Sequence, residues 1–430
     1  MFNKKLIIIF FLLLVSIFST MVLAAPNTTI NVIGWPLAAT DEIKALLPEF
    51  EKETGISVKM ELAPESTVHE KLAMEFAGNT GAYDVAMIGF AQYPEFARAE
   101  FITSLEPYIS KEADNKWLDL KDFFPGYLAS LKVGEELYGL PVFLWGGCLM
   151  YRKDLFDKYG IKVPQTMEEL AIAAEKLTLD TDGDGKTDLY GISMRGAKGP
   201  FSTGSAAFAY SFGGDFLNKE MKPQLTESKF LKGVDLYVKL LKDYGAPGAA
   251  GHDWMEVQEL FVKGKVAMIV EASDYAGRIE DPQISDIVGK VGYTTIPKAL
   301  RAPGYMFTGG WAMVSSSRNK DAAWKFIQWS TSKATQMKTI ASGKRTCATS
   351  QAVWESKEFG DLHPFLPVLK EALNEAHSEY FPHISEYTEV MLTYTGYVSE
   401  AIAGKITTKE AMEKANSEIT EILTKAGYYK

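Results

Sequence analysis

Two spacings of apolar residues alternate along the chain. Residues 30–33 form a short β-rich run, and from Asp41 the apolar positions Ile43, Leu46, Leu47 and Phe50 recur at helical spacing until Gly55. Residues 57–62 then read as a second strand. A helix over 67–77, a strand over 84–88 and a helix over 93–99 continue the series, the last running into Phe101, Ile102 and Leu105. Strands that alternate with helices predict a mainly parallel sheet, and such sheets bind ligands at the carboxyl ends of their strands.

After Leu140-Pro141 the run Val142-Phe143-Leu144-Trp145 closes on Gly146-Gly147, and Leu149, Met150 and Tyr151 precede a helix over 153–159. We read this stretch as a crossing between two lobes. Thr166, with Glu169 three residues on, opens a helix that runs to Leu177, because each side chain can satisfy a free backbone N–H of the first turn. Further helices are predicted over 205–212, 228–244 and 254–263, followed by a strand over 266–270. Residues 291–296 and 311–315 read as strands returning to the first lobe. A helix over 320–330 follows, with Trp324 and Trp329 on its core face. The tail reads as helical over 364–376, 385–403 and 408–426.

The chain opens with Lys4 and Lys5, then an almost wholly apolar run over 6–23 that ends in Ala24-Ala25 before Pro26. This reads as a secretory signal peptide cut near Ala24 or Ala25. A run of about 18 apolar residues is also long enough to span a bilayer, although Ser16, Ser19 and Thr20 weaken that reading. No cysteine lies near the cut to carry a lipid, so a freely soluble periplasmic protein is expected. The remaining roughly 400 residues exceed what one core usually holds, and two compact lobes are expected. A formal net charge of −10 argues against nucleic acid or an anionic membrane surface as a partner, since either requires a basic face. Cys148 and Cys347 are the two cysteines; in an oxidising compartment they form either a disulfide or two buried thiols.

The histidines show no HExxH spacing, and GxSxG, GxGxxG and GxxxxGK[ST] patterns are missing from the sequence. Carboxylates are too plentiful for a glycosidase pair to stand out. One segment is sharper. Asp180, Asp182, Asp184 and Asp188 hold the first, third, fifth and ninth places of a loop with Gly185 sixth and the Lys186 carbonyl seventh, the order in which calcium loops wrap oxygens round a cation. Gly191 stands twelfth, where a bidentate glutamate usually closes the site. The loop is either a weak structural calcium site or an Asp/Gly turn without metal. No other cofactor is expected. Aromatic residues beside small polar ones recur at predicted strand ends and loops: Trp35, Tyr93, Trp145, Phe201, Tyr275 and Trp311. A sugar has apolar C–H faces and a rim of hydroxyls, so its site needs flat aromatic platforms and a few fixed carboxylates or amides.

Several longer motifs carry a family likeness. Tyr138-Gly139-Leu140-Pro141 runs to Met150-Tyr151-Arg152-Lys153-Asp154-Leu155-Phe156, and Val163-Pro164-Gln165-Thr166 follows. Then come Phe261-Val262-Lys263-Gly264-Lys265-Val266-Ala267-Met268 and Gly309-Gly310-Trp311, with Lys320-Asp321-Ala322-Ala323-Trp324 after them. On these the chain resembles the extracellular solute-binding proteins of sugar ABC transporters, of the maltose-binding-protein-like class. The resemblance implies an α/β, two-lobe periplasmic-binding-protein fold of type II with a helical C-terminal tail. Its divisions would be 1–25 as signal peptide, 26–143 with 289–340 as one lobe, and 144–288 with 341–430 as the other. It further implies a monomer that holds a sugar or sugar alcohol in the interlobe cleft, closes on it by a hinge and delivers it to the permease subunits of an ABC importer, doing no chemistry.

Carried over position by position, the resemblance makes Glu65 and Ser66 a polar loop of the first lobe, Gln92 the loop after the third strand and Trp145 the hinge aromatic. Phe201 and Ser273-Asp274-Tyr275 match cleft positions of the second lobe. Trp311 follows the paired glycines, Arg345 sits where the tail re-enters the cleft, and Asp215 follows Gly213-Gly214. Asp274 and Tyr275 stand where the maltose binders have tryptophan, which suits a small polyol or monosaccharide as well as an oligosaccharide. A secreted carbohydrate-active enzyme and a periplasmic sensor subunit are the rival readings. The first needs an acid/base pair that the sequence does not display, and the second differs only in its partner.

Overall fold

A computed structural model describes residues 28–111, 115–341, 347–362 and 365–429. The expected signal peptide and Arg345 lie outside the described residues. Strand β1 (Thr29–Gly34) pairs in parallel with β2 (Ser57–Leu62), Thr29 opposite Ser57, and with β3 (Val85–Gly89), Val32 opposite Val85. The first crossover is helix α1 (Ala38–Thr54). It buries the stripe Ile43, Leu47 and Phe50, and it stops at Gly55, whose φ of 70° is a left-handed geometry that a side chain resists. Helix α2 (Glu65–Gly78) makes the second crossover. At the amino end of β3 the buried Asp84 accepts hydrogen bonds from Asn31 N–H at 2.8 Å and the Ser317 hydroxyl at 2.6 Å, so this carboxylate fixes the sheet's far end.

After helix α3 (Tyr93–Arg98), the 14-residue strand β4 (Gly139–Arg152) ties this sheet to a second one. The second half of β4 runs antiparallel to β5 (Met268–Ala272), Gly147 opposite Ala272, and to β6 (Val291–Thr295), Cys148 opposite Thr295. Its first half lies antiparallel to β7 (Met306–Val314), which also pairs with β3, giving the order β2-β1-β3-β7-β4. The changeover falls on two glycines. A Cβ on Gly146 would stand 2.9 Å from the Ala372 carbonyl oxygen, and one on Gly147 would stand 2.6 Å from the Tyr305 ring. Their N–H groups part company as well: Gly146 donates to Ser273 Oγ at 3.2 Å and Gly147 to the Tyr305 carbonyl at 2.6 Å.

The register corrects one expectation. The spacing of residues 291–296 predicts a return to the first lobe, yet β6 pairs with Cys148 to Arg152, so the chain returns only between Thr295 and Met306. An apolar alternation announces a strand without naming its partner.

Helices α4 (Lys153–Tyr159), α5 (Met167–Lys176), α6 (Gly204–Ser211), α7 (Ser228–Tyr244) and α8 (Trp254–Val262) follow the crossing. The predicted box at the start of α5 forms, Glu169 N–H donating to Thr166 Oγ1 and Thr166 N–H to the Glu169 carboxylate, both at 3.2 Å. Beyond β7 come α9 (Lys320–Thr331) and α10 (Lys333–Ile340), then α11 (Leu366–Glu375), α12 (Tyr387–Ile402) and α13 (Thr408–Lys425). Helix α9 packs on β4 and β7 and buries Trp324 and Trp329 as expected. Helix α11 covers β4 and β6, while α12 and α13 pack on α7. Cys148 and Cys347 are buried and no disulfide joins them.

Candidate ligand-binding site

Trp35 follows the last residue of β1 and Gln92 lies three residues past Gly89, the end of β3. Because β7 runs the other way, its first residues reach the same end of the sheet. Three groups converge there. A point one bond above Gly89 lies 3.5 Å from Gln92 Oε1, 3.5 Å from the Trp35 ring and 3.7 Å from the Phe307 ring. The Gln92 amide is held in place by accepting the Gly89 N–H at 3.2 Å. Glu65 and Ser66, in the first turn of α2, stand just past the end of β2, and burial pushes the Glu65 carboxyl up.

Phe307 is the centre of an aromatic cluster at the crossing. It is the register partner of Trp145 across the β4–β7 ladder, and the two rings stack with centroids 5.7 Å apart and planes 12° from parallel. Phe143 and Phe90 lie 5.8 and 5.3 Å from Phe307, and Phe201 meets it edge-on at 5.0 Å from the other side. The loop that carries Phe201 is held by the Tyr387 hydroxyl, which donates to the Pro200 carbonyl at 2.8 Å. Aromatic side chains of the first sheet and of the Phe201 loop thus meet around one strand pair.

The second sheet adds charge. Arg195 leaves the segment that runs beside β5, where Ser193 bridges Ile269 in parallel. Its guanidinium grips the Glu271 carboxylate with both Nε and Nη2, the latter at 2.7 Å, lies 5.7 Å from the Trp145 ring centroid, and donates to the Tyr275 hydroxyl at 3.3 Å. Arg195 and Glu271 are both buried, and only a bidentate pair of this kind holds two charges out of water. Asp274 is next to this pair. Its side chain reaches solvent while protein crowds round it, and its pKa is pushed up to about 7, first by desolvation and then by the Glu271 charge, with Arg195 opposing. Burial, followed by Glu271, raises the Tyr275 phenol, which stays neutral.

The structure therefore brings together Trp35, Gln92, Trp145, Phe201, Asp274 and Tyr275. It separates three of the expected residues from them. Trp311 is wholly buried: the glycines before it lie in the middle of β7 rather than at its start, so its ring packs 5.7 Å from Phe326 of α9 and fills the space over Gly34. Ser273 is also buried, its hydroxyl occupied by the Gly146 N–H. Asp215 is exposed and paired at 2.6 Å with Arg301, whose guanidinium lies 3.3 Å from the Tyr210 ring centroid. Phe143, Arg195, Glu271, Tyr305 and Phe307 were not foreseen. Two of them had a signal, since Glu271 and Arg195 are charges at the ends of apolar strand segments.

In the Asp180 loop, carboxylate oxygens of Asp180, Asp182 and Asp188 lie within 4.8 Å of one another. Asp184 is not in that group; it accepts the Lys186 N–H at 2.8 Å, and its carboxylate is 3.8 Å from the Lys186 ammonium. Gly191 presses on α5, where an added Cβ would stand 2.0 Å from the Ala174 carbonyl oxygen, so a closing glutamate cannot be accommodated. Three hard oxygen donors suit a weakly held cation, and the fourth expected carboxylate does not join them.

Known proteins share this fold. A solute-binding protein of an ABC transporter from Agrobacterium radiobacter, solved in complex with ribitol, is 28% identical with a TM-score of 0.79, covering 92% of this chain and 98% of that one. Another from Agrobacterium vitis, solved with D-mannitol, is 26% identical with a TM-score of 0.78, covering 94% and 100%. The mannitol-binding protein of Pseudomonas aeruginosa is 26% identical over 401 residues, 88% of this chain and 89% of its own length. The fold is the two-lobe, type II periplasmic-binding-protein arrangement expected from the sequence. The family model for bacterial extracellular solute-binding proteins matches residues 36–337. That match begins beside Trp35 and takes in both sheets and the strand between them, and the chain belongs to the bacterial extracellular solute-binding proteins.

Proposed function

We propose that the protein captures a sugar alcohol or a small sugar between its two lobes and delivers it to the permease of an ABC importer. Membership of a solute-binding family makes it a binding protein and not an enzyme. The observation that carries the ligand class is the meeting of Trp35, Trp145, Phe307 and Phe201 with Gln92, Asp274 and Tyr275. Flat rings take the C–H face of a polyol, while the amide, carboxylate and phenol take its hydroxyls. Ribitol and D-mannitol in the similar solved structures, and the mannitol-binding relative, support the same chemistry.

Closure is expected at Gly146-Gly147 and at the return between Thr295 and Met306, with residues before β4 and from β7 to α10 forming one lobe. Among the described residues no helix is long and apolar enough to cross a membrane. We take the protein to be exported by its N-terminal segment, to act as a monomer outside the inner membrane, and to hold a weak calcium ion on Asp180, Asp182 and Asp188. The test is isothermal titration of the protein with D-mannitol, ribitol, D-sorbitol and maltose. Saturable binding of at least one without its consumption supports the reading, and silence across all four contradicts it.

A further inference from the structure

Of the eight tryptophans, Trp254 is the one with more than a third of its surface exposed, 39%. It stands in the first turn of α8, whose start is fixed by Asp253 N–H donating to the Glu256 carboxylate at 3.0 Å. The chain just before it is fastened to the Arg195 segment, since Gly196 and Ala197 N–H both donate to the His252 carbonyl, at 2.9 and 3.0 Å. Helix α8 leads by a short connection into β5 and packs against it, so it runs opposite to that strand. Its first turn therefore lies at the carboxyl end of β5, where Asp274 and Tyr275 emerge.

There the indole lies beside the Tyr275 ring, centroids 6.4 Å apart and planes 39° from parallel. Tyr275 itself is held by the Arg195 guanidinium, which donates to its hydroxyl at 3.3 Å. The phenol and the partly exposed indole thus lie side by side, and Arg195, which donates to the phenol, lies 5.7 Å from the Trp145 ring of the aromatic stack.

We propose that Trp254 is a specificity-determining residue of the cleft: its ring covers the outer end of the bound polyol, so that longer carbon chains gain contact with it and shorter ones do not. The proposal rests on the polyol reading above. An aromatic face removed from a C–H contact weakens binding by about 10-fold. Titration of wild type, W254A and W254F with D-mannitol and erythritol tests it. The Kd of W254A for D-mannitol should rise about 10-fold and that for erythritol less than about two-fold. W254F should recover most of the D-mannitol affinity, and thermal midpoints of all three proteins should agree. An unchanged D-mannitol Kd in W254A, or equal losses for both ligands, overturns the proposal while leaving the polyol reading intact. A wild-type protein that binds neither these nor any other polyol overturns both.

Discussion

Trp145 and Phe307 face each other as register partners across the ladder that carries the chain between its lobes, their rings 5.7 Å apart. Both neighbouring segments leave the ladder soon afterwards, β4 for the second sheet and the chain before Met306 for its return. The stack is thus attached at the hinge and contacts groups from both sides, Trp35 at 6.3 Å from Phe307 and Phe201 at 5.0 Å.

Shortening one ring of this stack should damage binding more than folding. Phe307 is only half-buried, so F307L should lower ligand affinity about 10-fold while leaving the thermal midpoint within a few degrees. Titration calorimetry with the best ligand of the panel checks this. An affinity unchanged in F307L would remove the stack from the site.

Asp274 makes binding depend on pH. With a pKa of about 7 it passes from mostly protonated to mostly ionised between pH 6 and 8, and the ionised form is the better acceptor for ligand hydroxyls. Affinity should therefore rise several-fold over that interval in wild type and stay flat in D274N. The stability effect has the opposite sign. The folded value lies above the ordinary 3.8, so the fold favours the protonated acid; Asp274 weighs against folding least below about pH 4 and increasingly as pH rises to 7. D274N should gain about 1 kcal/mol at pH 8, solvent screening allowed for, and nothing at pH 4.

Arg195 and Glu271 form a buried pair whose halves do not stand alone. E271Q leaves a guanidinium without its counter-charge and should cost about 3 kcal/mol or more in urea unfolding. Replacing both with methionine should recover over half of that loss. Equal losses in the single and double variants would show that the pair contributes through packing alone.

The secondary structure was largely legible in the sequence. Residues 153–159 and 228–244 form helices with the predicted bounds, and Thr166 and Glu169 exchange their bonds, because spacing and capping are local properties. The site was legible in part. Trp35, Gln92, Asp274 and Tyr275 follow strand ends, and a strand end can be read locally, whereas Trp145 lies within β4 and Phe201 on a loop before α6. Arg195 and Glu271 are 76 positions apart, and their meeting depends on which strands are neighbours. The same dependence decides the partner of β6, and Trp311 is core because paired glycines mark a close approach without saying where along a strand it falls.

The Asp180 loop gives a separate prediction. If calcium binds the Asp180, Asp182 and Asp188 carboxylates, chelator should lower the thermal midpoint by a few degrees, and D180N should lose that response while still binding ligand. Identical midpoints with millimolar calcium and with chelator identify the loop as an Asp/Gly turn.

Differential scanning fluorimetry of the protein against sugar alcohols, monosaccharides and disaccharides at millimolar concentration reads ligand capture directly. A micromolar ligand present at a thousand times its Kd stabilises the native state by about 4 kcal/mol, which moves the midpoint by several degrees. Capture of a polyol or small sugar predicts such a shift with one or more of these ligands, recovered unchanged, and a shift about a third smaller in F307L, whose affinity is about 10-fold lower. No shift with any of them, or a shift only with peptides or amino acids, contradicts it.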